Sequence, residues 1–257
     1  MNIFVFDIET VPDVDSGRRI HELDGLTDKE VANIMYQLRR QETGGSDFLK
    51  LHLHKVVAIS IVLRSRDVVK VWSLGDMDAG EKEIVQRFYD GIEKYTPTLV
   101  SWNGGGFDLP VLNYRALLHG IAAPRYWENG ATDNSFRWNN YLSRFHERHT
   151  DLMDVIAGYQ PRAGAPLDEV ATMLGFPGKM GMHGSKVWQA YQDGDIKGIR
   201  DYCETDVLNT YLVYLRYEMI RGNLTAAEFE SEADLLHQHL MDSAADHLIA
   251  FANAWRS

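Results

Sequence analysis

Residues 1–10, MNIFVFDIET, form an apolar run that ends in two carboxylates, Asp7 and Glu9, separated by one residue. The alternation of a strand puts Ile3, Val5, Asp7 and Glu9 on one face and Asn2, Phe4, Phe6 and Ile8 on the other. Two acids on one face repel each other unless a cation sits between them, and a divalent ion with oxygen ligands is the usual solution. A strand running out into solvent carries the same pattern, so the partners must come from elsewhere in the chain.

With 45% hydrophobic and 25% charged residues among 257, the composition is that of a globular chain and points away from disorder. One domain over residues 1–257 accounts for the length, with a core to about 220 and a helical extension from about 225. No apolar run reaches the roughly 20 residues of a membrane span. The N-terminal run breaks at Asp7 and lacks a basic lead, so it reads as a strand and not a signal peptide. With Cys203 as the single cysteine, a cytoplasmic location is expected. A formal charge of -11 argues against coating nucleic acid by net field, while leaving room for a local grip on a strand end.

Residues 11–26 are polar and turn-rich, punctuated by Pro12, Gly17 and Gly25. Thr27 has capping-box spacing to Glu30, and Val31, Ile34, Met35 and Leu38 follow at helical intervals until Gly44, Gly45 and Ser46. Residues 56–63 read as a buried strand, 68–74 as its hairpin partner, 81–95 as a helix stopped by Thr96-Pro97, and 98–102 as another short strand. From Pro166 onward helical patterns dominate, with breaks at 175–184 and Gly222. This order predicts an α/β fold: a mixed sheet flanked by helices, with a helical C-terminal part.

A second stretch, SWNGGGFDLP at residues 101–110, joins a strand to a helix whose apolar members are Leu109, Leu112, Ala116 and Leu117. Asp108, beside Pro110, sits where a helix dipole favours an anion. No Gly-Lys-Ser/Thr follows, which excludes a P-loop; the glycines alone also suit an ordinary tight turn. A third stretch, DYCETDV at 201–207, lies in a helical pattern from Asp195 to about Tyr217. Its core stripe is Ile199, Cys203, Val207, Thr210 and Tyr214, and Tyr202 and Asp206 stand one turn apart at its edge. That pair reads equally as an amphipathic edge.

Taken together, D-x-E, N-x-x-x-F-D and Y-x-x-x-D resemble the three motifs of the DEDD exonuclease superfamily. The position of Tyr202, four before Asp206, resembles its tyrosine branch; the histidine branch places histidine five before the aspartate, where this chain has Asp201. The nearest resemblance is to predicted exonucleases related to the proofreading domain of family B DNA polymerases, and it covers most of residues 1–217. It implies a ribonuclease H-like core and two divalent ions, Mg2+ or Mn2+, held by Asp7, Glu9, Asp108 and Asp206. Asp7 bridges the ions, Glu9 and Asp206 complete the site of the attacking water, Asp108 serves the ion nearer the leaving group, and Tyr202 orients the water. The implied activity is 3′-5′ exonucleolytic hydrolysis of single-stranded nucleic acid with a free 3′ end, DNA before RNA, releasing nucleoside 5′-monophosphates. A catalytically silent binding module of the same fold is the rival from another class. A proofreading role would need a separate polymerase or repair partner, and no membrane is involved.

By the same resemblance Asn103 is the residue expected to touch the 3′-terminal nucleotide, with Phe107 packing in the core. Lys179, His183 and Lys186 form a candidate phosphate patch, or equally a mobile surface loop. Residues 135–149 interleave Arg137, Arg144 and Arg148 with Trp138, Tyr141 and Phe145, a mix suited to phosphates and stacked bases, or to a partly buried amphipathic helix. Asp151 reads as structural. His52 and His54 lack further zinc ligands nearby, and His237 and His239 read as surface residues.

Overall fold

The computed structural model describes residues 2–66 and 68–256; Met1 of the opening stretch lies outside them. The first strand, β1 (Asn2–Pro12), is followed by α1 (Val14–His21), α2 (Asp28–Thr43), β2 (His54–Ser65), β3 (Val68–Ser73), α3 (Glu81–Tyr95), β4 (Thr98–Ser101), α4 (Asp108–His119) and α5 (Pro124–Trp127). Then come β5 (His149–Asp151), α6 (Leu152–Ile156), α7 (Leu167–Met173), α8 (Val187–Gln192), α9 (Ile196–Ile220), α10 (Ala226–Met241) and α11 (Asp246–Trp255). The sheet order is β3-β2-β1-β4-β5, with β1 antiparallel to β2 and parallel to β4. It is the expected mixed α/β sheet of ribonuclease H-like type.

The alternation in β1 decides what lies on each side of the sheet. Phe4, Phe6 and Ile8 pack with Val85, Phe88 and Ile92 of α3 and Leu112 of α4. Val5 turns the other way and packs with Val62, Val100 and the α9 residues Leu208, Tyr211 and Leu212. The C-terminal helices join this second cluster through Phe229, Leu236 and Leu240 of α10 and Leu248 and Phe251 of α11.

Several local expectations need correction. β1 continues to Pro12, and residues 14–21, read as turn-rich, form α1, capped by Asp13, whose carboxylate accepts the Ser16 N–H at 3.1 Å. The misleading signal was Gly17, which serves helix packing: a Cβ there would lie 2.3 Å from the Met35 sulfur of α2. α2 itself has the expected capping box between Thr27 and Glu30. β5 escaped notice because three residues show no period; it pairs in parallel with β4, Ser101 facing Asp151. On α4, Leu109, Leu112 and Ala116 are buried as predicted, but Leu117 is 79% exposed. Residues 135–149 form no α-helix. Tyr141 is buried, and the Arg148 guanidinium stacks 3.7 Å from the Phe136 ring centre while donating to the Asn139 carbonyl at 2.6 Å.

A buried polar clamp fixes α4 to the sheet. Arg115 donates to Asp13 at 2.5 Å and to Glu81 at 2.7 and 2.5 Å, and Glu81 also accepts the Val56 N–H of β2 at 2.6 Å. Removing one member of such a cluster leaves the others charged and unpaired in the interior. Arg115→Leu is therefore expected to cost about 3–5 kcal/mol of unfolding free energy. Urea denaturation checks this, and a loss below about 1 kcal/mol would contradict the clamp.

Candidate active site

Three separated segments bring their carboxylates to the C-terminal end of β1. Asp7 and Glu9 share the face toward α9, where the Cys203 thiol donates toward the Asp7 carbonyl at 3.4 Å and its carboxylate at 3.5 Å. Ligand-type atoms of Asp7, Glu9 and Cys203 lie within 4.8 Å of one another. The β1–β2 register shifts between Glu9 and Thr10, so Glu9 faces Ala58 and Thr10 faces Val56. Bulges of this kind re-aim side chains beside sites.

Asp108 arrives from the opposite edge. β1 pairs with β4 only over Ile3 to Val5, which leaves the Ile8 N–H free to donate to the buried Asp108 carboxylate. The preceding turn is held by Asp151, whose carboxylate accepts the N–H groups of Asn103 and Gly105, each at 2.9 Å. This is the structural role expected of Asp151, and it stabilises the left-handed backbone of Asn103 at φ 62°. Gly104 is needed for close approach, since a Cβ there would lie 2.2 Å from the Ser101 hydroxyl. Phe107 packs edge-on against His54, at 5.2 Å between ring centres.

The third segment is α9. Its core stripe is buried as predicted, and Tyr202 is only 7% exposed. The Tyr202 phenol hydrogen-bonds to the Asp206 carboxylate one turn on. Asn209, a further turn along, accepts the Gly178 N–H at 3.1 Å and donates to its carbonyl at 2.7 Å. That exchange fixes the backbone next to Lys179, whose positive charge favours ionised Glu9 and Asp206. His183 and Lys186 stay exposed, flanking Gly184 and Ser185 at the rim of a cleft. The cleft, about 450 Å³, opens beside Glu9 between the aromatic walls of Tyr36, Phe48, Phe107 and Trp188.

Electrostatics show what the cluster lacks. Burial, then repulsion from Asp108, Glu9 and Asp206, pushes the Asp7 carboxyl well above the usual carboxylate range. Burial and the charges of Asp206 and Asp108 do the same to Glu9. Burial lifts Asp108 to about 7 and Asp206 to about 6, the latter against the Tyr202 hydrogen bond and Lys179. Burial and the neighbouring carboxylates raise the Tyr202 phenol and the Cys203 thiol, so both remain protonated donors. The carboxylates of Asp7, Glu9, Asp108 and Asp206 are hard oxygen donors that suit divalent ions such as Mg2+ or Mn2+, with Cys203 a soft group beside Asp7 and Glu9.

Some participants were not visible in the sequence reading. Cys203 had been assigned only to the core stripe, and the aromatic walls at Tyr36, Phe48 and Trp188 carry no motif. His54 is satisfied by Thr10 at 2.8 Å and the Leu49 carbonyl at 3.2 Å. His237 and His239 are half-buried on α10, and His237 packs on Trp255 at 6.1 Å.

The chain belongs to the family described as predicted 3′-5′ exonucleases related to the exonuclease domain of PolB, whose family model matches residues 46–255. The match takes in α10 and α11, which the sequence resemblance had left out, while Asp7 and Glu9 precede it. No curated protein matches the chain in sequence. Among solved structures, the family B DNA polymerase of the hyperthermophilic archaeon Pyrobaculum calidifontis is similar, with a TM-score of 0.50 and 16% identity. The alignment covers 98% of this chain and 27% of that protein, and it shows a shared fold. Among the described residues no helix is long and apolar enough to cross a membrane.

The raised carboxyls give a signed pH dependence. Their protonated forms stabilise the metal-free fold fully below the ordinary carboxylate value of 3.8, and this contribution is lost as pH rises through about 6 for Asp206 and about 7 for Asp108. Asp108→Asn removes one such group. In metal-free buffer its stability advantage over wild type is expected to widen by about 3 kcal/mol between about pH 4.5 and pH 8, roughly 6–12 °C in Tm. Thermal melts check this; an advantage that shrinks with pH would contradict the raised value.

Proposed function

We propose that the chain is a metal-dependent 3′-5′ exonuclease of the tyrosine-type DEDD kind, acting on single-stranded nucleic acid, with DNA as the first substrate. The observation that carries this reading is the convergence of Asp7, Glu9, Asp108 and Asp206 from three separated segments, with Tyr202 hydrogen-bonded to one of them. Asp7, between the others, would be the shared ligand, Glu9 and Asp206 would hold the ion beside Tyr202, and Asp108 would hold the second. Two divalent ions bound there would supply charge neutralisation, a more acidic attacking water and stabilisation of the departing 3′ oxygen.

The chain's own groups would do the positioning. The Tyr202 phenol, kept protonated, donates to Asp206 and leaves its oxygen lone pairs to orient a water. Lys179, whose charge reaches Glu9 and Asp206, would offer a cation for the scissile phosphate, with His183 and Lys186 as further cation candidates on either side of Gly184 and Ser185. The cleft beside Glu9 has the size and aromatic lining to receive an unpaired terminal nucleotide; Asn103, at the glycine turn, is not among its lining residues. Attack on the terminal phosphodiester breaks the bond to the 3′ oxygen and releases a nucleoside 5′-monophosphate. Nothing in this arrangement reads a base sequence, so hydrolysis is expected to tolerate any terminal base.

The test is digestion of 3′- and 5′-labelled single strands, DNA beside RNA, with Mg2+ or Mn2+. Stepwise shortening from the 3′ end by wild type, abolished in Asp7→Ala, is the expected result. Faster loss of RNA would make the enzyme an exoribonuclease, and binding without hydrolysis would favour the silent module. Tyr202→Phe is expected to lower kcat by about 10–100-fold through loss of water orientation while leaving metal affinity in place. Unchanged turnover in that variant under chemistry-limited conditions removes the tyrosine from the mechanism.

A further inference from the structure

A second groove, about 360 Å³, opens at the glycine turn, with Gly105 and Leu109, on either side of Asp108 in the chain, in its lining. Pro110, Asn113, Trp127, Leu142 and Arg144 also line it. Large apolar side chains stand open to solvent in its lining, Trp127 at 51% and Leu142 at 44%, and in the same chain segment, Phe145 at 69% and Trp138 at 79%. Single exposed apolar residues are commonplace, but four in one stretch between residues 127 and 145 form a patch that calls for a ligand.

The outward rings are paired with cations. The Arg137 guanidinium lies 5.5 Å from the Trp138 ring centre, and Arg137 makes no ion pair among the described residues. Arg144 lies 5.7 Å from the Phe145 ring and 5.2 Å from that of Tyr159, and the two rings meet edge to face at 4.9 Å. This second cluster is tied to the candidate site by a continuous chain of contacts. Arg144 holds Asp154 through two-pronged hydrogen bonds, the Asp154 N–H donates to Asp151 at 3.3 Å, and Asp151 holds the turn at Asn103 and Gly105.

We infer that this groove and its aromatic rim are the track for the part of the strand lying 5′ of the bond that is cut. Bases stack on the Trp138 and Phe145 rings, and Arg137 meets a phosphate between them. Sequence-tolerant single-strand binding combines these two features, ring faces for any base and cations along the backbone. The chain's formal charge of -11 supplies no attraction of its own, so grip on the strand has to come from such local elements. The identity of the ligand rests on the exonuclease reading above; occupancy of the track does not depend on catalysis. A membrane surface or a protein partner would also use exposed rings, but neither explains why the groove takes in Gly105 and Leu109, on either side of Asp108 in the chain.

The track makes affinity depend on strand length. In an Asp7→Ala background, which cannot hydrolyse the probe, affinities for 5′-labelled trithymidylate and dodecathymidylate are measured by fluorescence anisotropy. Adding Trp138→Ala and Phe145→Ala is expected to weaken dodecamer binding by at least about tenfold and to leave the trimer, too short to reach the rim, within about twofold. Trp138→Phe, which keeps a ring to stack on, is expected to retain most of the dodecamer affinity, and it guards against a folding artefact in the double variant. Unchanged dodecamer affinity, equal losses for both lengths, or no dodecamer binding at all would overturn the track. Length-dependent loss from a protein whose wild type hydrolyses no strand would keep the track and overturn the exonuclease reading.

Discussion

Asp7 and Glu9 are forced against Asp206 by the packing of one sheet face on one long helix, and the glycine turn ahead of α4 brings Asp108 in as the fourth mutually destabilising carboxylate. Val5, Val62 and Val100 of the sheet bury against Leu208, Tyr211 and Leu212 of α9. Fully buried side chains of this kind contribute about 1.5–3 kcal/mol each, so this contact alone outweighs a repulsion that protonation can relieve at about 1.4 kcal/mol per pKa unit. Val5 stands two residues before Asp7 on β1, and Leu208, Tyr211 and Leu212 stand two, five and six residues after Asp206 on α9. The site is thus strained by the same elements that make the molecule stable.

A second tier of contacts keeps the carboxylates pointed inward. Asp151 binds the backbone of the glycine turn, Asn209 binds the backbone beside Lys179, and Ile8 donates to Asp108. Each uses a main-chain group that neither the sheet nor a helix consumes. These are the backbone donors and acceptors that a buried irregular segment must satisfy somewhere. Their placement at the ends of β1, β4 and α9 reflects where regular pairing stops.

The sequence made the main elements legible because each repeats its signal. The alternation from Ile3 to Glu9 gave the correct faces, the helical stripe from Ile199 to Tyr214 is buried throughout, and the Thr27 capping box is present. What stayed hidden has no period or has two meanings. β5 is three residues long. Gly17 looks like a turn and is a helix contact, because packing against Met35 leaves no trace in α1 itself. Leu117 fits the helical spacing yet faces solvent, since α4 is covered on a narrower arc than its apolar residues span. Residues 135–149 carry the composition of an amphipathic helix, but Arg148 and Tyr141 turn inward while Arg137 and Trp138 turn out, an arrangement set by Phe136 and Asn139. The three carboxylate stretches were each ambiguous alone; only the fold makes them neighbours.

α9 has 25 residues, about 37 Å of continuous helix at 1.5 Å per residue. Its first half carries Tyr202 and Asp206, and its later turns form the floor on which α10 and α11 rest. A single unbroken helix cannot fray in its middle without opening both the sheet contact and the C-terminal contact. Local opening near the carboxylates is therefore tied to the detachment of helices that touch none of them, and the two regions belong to one cooperative unit. The carboxylates are held by a beam anchored at its far end, so the remote helices help set how rarely the cluster relaxes.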